Sequence, residues 1–146
     1  MGIFSSFRIS ATGLAAERLR MEVIANNIAN ANTTRTGEGG PYKRRQVVFQ
    51  AVSSGMRGGQ TSPRGLGAPG RGVAVAAIVE DPSPPRLVYD PGHPDADARG
   101  YVAMPNVDAV REMVDMISAA RAYEANASAL DAAKTMALRA LDIGRA

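Results

Sequence analysis

The sequence predicts a mainly α protein with a small β insert, in which long N- and C-terminal helices pair as a coiled coil around a short irregular β/loop region. Three observations carry this expectation. All nine prolines of the 146-residue chain lie between Pro41 and Pro105, and ten of the fifteen glycines lie between Gly37 and Gly72, so helix breakers divide it into arm, insert and arm. Both arms repeat apolar residues three and four apart, the spacing of a helix that packs along one stripe. The 45% hydrophobic content is mostly Ala and Val, with three Phe, four Tyr and no Trp, so one compact core would be thin and burial against other chains is expected. The expected boundaries are 1–34 for the first helical arm, 35–104 for the Gly/Pro-rich insert and 105–146 for the second helical arm.

The first arm supports a helix from about Ser5 to Asn32. Phe4, Phe7, Ala11, Leu14, Met21, Ala25 and Ile28 form its stripe, interrupted only by Arg18, which is spaced to pair with Glu22. Its end reads "IANNIANANT", with Asn26, Asn27, Asn30 and Asn32 in ten residues. Asparagine competes for backbone hydrogen bonds and is a mediocre helix former. Asn32 and Thr33 are expected to turn the chain out, while Asn26, Asn27 and Asn30 are expected to hydrogen-bond across a helix interface and fix its register, with Asn126 a candidate partner.

The insert reads as short strands on loops. Tyr42 to Val52 and Gly72 to Glu80 are the main strand candidates, the second with Val73, Val75, Ala77 and Val79 in alternation, and Arg86 to Tyr89 and Gly100 to Met104 are shorter ones. Ser53 to Arg71 is a flexible loop by composition. The second arm starts at "PNVD", where Asn106 is the expected N-cap and Asp108 and Glu112 favour the positive end of the helix dipole. Met113, Met116, Ala120, Tyr123, Ala127, Leu130, Ala137 and Leu141 run at three-four spacing with Lys134 the exception, and Val107, Val110, Val114 and Ile117 widen the face. Gly144 is the expected C-terminal cap. Arms of roughly 40 and 55–60 Å cannot be covered by such an insert, so they must cover each other or arms of other subunits.

Chemical motifs are weak. Gly65, Gly67 and Gly70 fit G-x-G-x-x-G, but a loop precedes them, Pro69 sits among them and a strand follows, which is the wrong context for a dinucleotide. His93 lies near Asp90, Asp95 and Asp97 in "DPGHPDADARGY", where Pro91, Gly92 and Pro94 make turn capping the expected role rather than metal binding. With one His and no Cys, no nucleophilic triad or thiolate site assembles, and the chain is expected to be no enzyme and to use no cofactor or metal. The net charge of +3 is uneven: residues 41–72 hold Lys43, Arg44, Arg45, Arg57, Arg64 and Arg71 without an acid. A soluble helical adaptor binding nucleic acid or an anionic surface through 41–72 is therefore the alternative reading, although the aromatic interleaving of RNA and single-strand binders is missing. "MGIFSSFRIS" lacks the apolar core and cleavage site of a secretory signal, and no apolar run reaches membrane-spanning length.

"RMEVIANNIANANTTRT" resembles the N-terminal signature of the bacterial flagellar rod, hook and hook-associated family. "YDPGHPDADARGYVAMPNVDAVREMVDMISAARAYEANASALDAAKTMALRALDIGR" looks like the C-terminal half of its short proximal rod members. The resemblance implies a structural subunit of the proximal rod, exported by the flagellar type III apparatus without a cleaved signal and assembled in the periplasm. Its implied partners are the rod proteins FlgB, FlgF and FlgG, the rod-to-ring adaptor FliE and further copies of itself. The residues expected at subunit interfaces are Phe7, Leu14, Met21, Asn26, Asn27, Ile28 and Asn30 on the first arm, and Val110, Met113, Ile117, Tyr123, Asn126, Leu130 and Leu141 on the second. Stripes without a complete partner are also expected to order fully only when neighbouring subunits supply the missing faces.

Overall fold

The computed structural model describes residues 3–52 and 72–144, with side chains from Ser5 onward. The Ser53 to Arg71 loop lies outside the described residues, together with the glycine motif and Arg57, Arg64 and Arg71 that it contains. The side chain of Phe4 lies outside them too.

Helix α1 spans Ile3–Ala29 and helix α2 spans Ala109–Ile143, 27 and 35 residues respectively. Between them lie two antiparallel hairpins, β1 (Arg45–Ala51) with β2 (Val73–Glu80), and β3 (Arg86–Tyr89) with β4 (Tyr101–Met104). The helices pack against each other, and the first hairpin packs on α1. The pair is antiparallel, because Asn27 near the end of α1 bonds Glu112 near the start of α2, while Gly13 lies against Asn126.

α1 ends where its asparagines begin to serve the backbone. Asn30 N–H still bonds the Asn26 carbonyl, but Ala31 and Thr33 bond the carbonyls of Ile28 and Asn30, only three residues back, and the Thr33 hydroxyl donates to Asn30 Oδ1 at 3.1 Å. The loop that follows needs left-handed glycine at Gly39 and Gly40, with φ of 88° and 77°. Tyr42 N–H then closes it on the Thr33 carbonyl at 3.0 Å.

The alternation expected along β2 is broken. Val48 pairs with Ala77 but Phe49 pairs with Val75, so Ala76 is an extra residue, a β-bulge. The extra residue reverses the facing of everything beyond it. Val73 and Val75 therefore share a face with Ile78, while Ala77 and Val79 turn to the other face. Val47 and Phe49 of β1 lie on the face that meets Val23 and Ile24 of α1.

Asn106 is not the N-cap of α2. Asp108 is, accepting from Val110 N–H and Arg111 N–H at 2.9 and 3.3 Å. Asn106 is instead drawn into the insert, accepting from Arg44 N–H at 2.8 Å and donating to the carbonyls of Asp81 and Ser83 at 3.3 and 3.1 Å. The helix therefore starts later than expected. Gly144 does cap the other end, with an ordinary φ of −77°.

Among the described residues the buried hydrophobic ones are few and small: Ala16, Val23 and Ile24 on α1, Ala119 and Ala133 on α2, and Val102 and Val107 before it. On α1 the covered face runs through Gly13, Ala16, Val23, Ile24 and Asn27, not through the expected stripe. Ala11 and Ala25 of that stripe are exposed, and Phe7, Leu14, Met21 and Ile28 are half-buried on the flank. The physical reason is size: Gly13 and Ala16 let the backbones approach closely, which the larger stripe residues would prevent.

Candidate assembly interface

The site is built around Asn27, which is fully buried and uses its whole hydrogen-bonding capacity. Its Nδ2 donates to the Arg45 carbonyl and to Glu112 Oε2, both at 2.8 Å. Its Oδ1 accepts from Tyr42 O–H at 2.9 Å and from Arg45 N–H at 3.0 Å. One carboxamide thus ties α1 to the start of β1, to the loop before it and to α2. A residue with any other side chain would leave at least one of these buried groups unpaired.

Glu112, expected to favour the positive end of the helix dipole, is 1% exposed. Its second oxygen accepts from Arg44 Nε at 2.5 Å, and Arg44 also reaches Asp115 at 3.2 Å and Asp81 at 3.9 Å. A buried carboxylate without these partners would carry a desolvation cost of several kcal/mol. Ser83 hydrogen bonds, aided by Arg44 and Gln46, hold the Asp81 carboxyl below its ordinary range. Burial pushes the Tyr42 hydroxyl above its ordinary 10.0, with Glu112 and Glu80 adding to the effect and Arg45 opposing it.

The basic residues around β1 are thus already partnered. Lys43 and Arg45 face Glu80 at 3.8 and 3.2 Å, and Arg44 serves three acids. A second polar joint ties the two loops: Asp95 accepts from the Thr34 hydroxyl at 2.8 Å and pairs with Arg35. The neighbouring turn is capped from within, since Asp90 Oδ1 accepts from Gly92 N–H, Asp97 Oδ1 from Arg99 and Tyr101 N–H, and His93 Nδ1 from Asp95 N–H. Turn chemistry accounts for the His93 segment. Gly100 at its close needs φ of 80° and lies under the Tyr89 ring, which packs edge-on to Tyr101.

The other candidate residues divide by position. Asn26 and Asn30 bond locally, donating to the carbonyls of Glu22 and Asn26, so of the three clustered amides only Asn27 crosses between elements within the chain. Asn126 does not meet them. It lies far along the helix pair, donating to the Ala122 carbonyl and packing over Gly13. Leu130 is half-buried, whereas Val110, Met113, Ile117, Tyr123 and Leu141 are exposed. Sequence reasoning missed Tyr42, Arg44 and Glu112 as a unit. The available signal was Glu112 itself, which stands four and seven residues before Met116 and Ala119, on the helix face that turns inward.

Residues 7–35 match the family described as flagella basal body rod protein, and residues 98–143 match the one described as flagellar basal body rod FlgEFG protein C-terminal. The chain is 50% identical to the flagellar basal-body rod protein FlgC of Borreliella burgdorferi, over 98% of each chain. It is 47% identical to FlgC of Bacillus subtilis and 43% identical to FlgC of Salmonella typhimurium, in both cases over 99% of this chain and 100% of the relative. The chain belongs to the FlgC family of flagellar basal-body rod proteins. It is a structural rod subunit of the flagellar basal body, not an enzyme. The adaptor reading has no support, and among the described basic residues of that segment Lys43, Arg44 and Arg45 are each paired with acids of the chain itself. The two matched segments are those that supply Asn27 and Glu112, so the buried knot joins both halves of the family's signature.

Proposed function

We propose that the chain is a proximal-rod subunit that self-assembles through its terminal helices, transmits torque and supports motility. The observation that carries this reading is the contrast on α2: its inner face is closed by Ala119, Ala133 and Glu112, while Val110, Met113, Val114 and Ile117 stand 67, 50, 62 and 56% exposed. Apolar rows of this kind mark interaction surfaces. In this reading arms 1–34 and 105–146 form a coiled-coil layer with those of neighbouring subunits, and 35–104 is the insert that faces outward. The partners are the rod proteins FlgB, FlgF and FlgG, the adaptor FliE and further copies of the chain. Delivery to the periplasm is by the flagellar type III export apparatus without a cleaved signal.

The test is replacement of Ile28 or Leu130 by Asp in motile cells. Both variants should be expressed and exported yet leave rods unbuilt and cells non-swimming, and normal swimming in both would overturn the seam assignment. A dilute purified subunit should also show far less helix by circular dichroism than the 27- and 35-residue helices demand, since ordering is coupled to assembly. Full helical content in a demonstrated monomer would remove that part of the reading.

A further inference from the structure

We infer that the exposed apolar row at the start of α2 docks, antiparallel, on the solvent face of α1 of a second copy, an inference that rests on the rod-subunit reading and gives it a register. That α1 face consists of Ala11, Ala15, Arg18, Glu22, Ala25 and Ala29, all exposed. It is a flat alanine surface with one ion pair at its centre, Arg18 to Glu22 at 3.1 Å. The α2 row is its counterpart. Val110, Val114 and Ile117 form a ridge, followed on the same exposed face by Arg121 and Glu124. Large side chains on one surface and small ones on the other let two helices approach closely.

Charge selects the direction. In the antiparallel arrangement Val114 falls on Ala29, Ile117 on Ala25, Arg121 on Glu22 and Glu124 on Arg18, so every charge meets its opposite and the four close into one cluster. In the parallel arrangement the ridge falls on Ala11 and Ala15, which sets Arg121 on Arg18 and Glu124 on Glu22. Like charges directly opposed are destabilising. Sliding the parallel row toward Ala25 instead puts Val110 and Val114 on the ion pair.

The geometry is heterologous, because α1 uses its solvent face and α2 its outer row, so each copy offers both halves of the contact. Each α1 then lies between its own α2, which sets Glu112 against Asn27, and a neighbour's α2 advanced by about one helical turn, roughly 5 Å along the axis. Copies added in this way form an open, staggered series.

The chain contains no cysteine, so engineered thiols report without background. Cells expressing the A25C chain together with the I117C chain should, on oxidation of intact basal bodies, yield a covalent dimer of this chain. A25C with L138C, another exposed position on α2, should not. In a second measurement, E124R should abolish swimming and R18E in the same chain should restore it. Assembled rods in which A25C links to I117C no better than to L138C, A25C captured by a different rod protein, or no rescue by R18E would each overturn the inference and leave the rod-subunit reading intact. Rods that assemble in cells lacking the chain altogether would overturn that reading instead.

Discussion

The helix pair is held by opposite means at its end and at its middle. At one end Asn27 and Glu112 are buried polar groups whose partners come from α1, α2 and the start of β1. Midway along both helices Gly13 and Asn126 meet by close approach, and the contact is one of shape. Hydrogen bonds have fixed positions, so the polar end specifies register. Small residues tolerate sliding, so the middle supplies contact but little specification. On the proposal that the subunit orders as it assembles, both are needed, one joint that admits a single alignment and a long seam that adds area once the alignment is made.

The largest effect is therefore expected at the polar end. Glu112→Leu would leave an Asn27 donor unpaired and strip Arg44 of its closest acid, costing about 3–5 kcal/mol. Isolated basal bodies carrying it should release the subunit at much lower urea than wild type, and an unchanged midpoint would show that the knot specifies nothing. Near the middle of α1 the sharpest local constraint is Gly72, whose φ is 120° and where an added methyl would collide with Thr12 Oγ1. That hydroxyl also receives Val73 N–H at 3.2 Å and donates to the Ile9 carbonyl at 2.7 Å, which pins the return of the hairpin to α1. Gly72→Ala should cost about 1–3 kcal/mol, read in the same urea assay. An effect as large as that of Glu112→Leu would erase the contrast between the two regions.

Tyr42 offers a pH-resolved version of the comparison. Its hydroxyl is held above the ordinary 10.0 chiefly by burial, so the protonated form is favoured in the fold. The stabilisation is then fully present below the ordinary tyrosine range and lost as pH rises through the higher folded value. Tyr42→Phe should lower stability by about 1 kcal/mol at neutral pH and flatten the alkaline loss. Alkaline profiles of wild type and variant that run parallel would place the titration elsewhere.

Much of this arrangement can be read from the chain, and the failures have a common cause. Among the described residues, the positions of the two helices and four strands follow from breakers and periodicity, which are local properties. What local pattern does not contain is which polar residue faces inward. Glu112 reads as a first-turn acid and Asn106 as a cap because each choice is locally sound, yet Arg44 recruits the first and the Arg44 N–H recruits the second. The stripe on α1 is legible as apolar, but the face that meets α2 within the chain runs beside it, since Gly13 and Ala16 carry no hydrophobic signal while permitting the closest approach. The bulge at Ala76 is similarly hidden, because Val73, Val75, Ala77 and Val79 stand two apart in sequence whether or not a residue is skipped in the pairing.

The smallest expected effect tests the shape contact directly. A methyl on Gly13 would come within 2.7 Å of Asn126 Oδ1, the far end of a side chain that is anchored by a 2.9 Å hydrogen bond to the Ala122 carbonyl. Gly13→Ala gains about 1 kcal/mol of helix propensity and loses a comparable amount if Asn126 must give up that bond, so the urea midpoint should barely move. Truncating the neighbour removes the obstacle, and Asn126→Ala combined with Gly13→Ala should exceed the sum of the two single changes in the stabilising direction. Additive behaviour would mean that the two residues do not compete for the same space, and the middle of the helix pair would then owe its contact to something other than close approach.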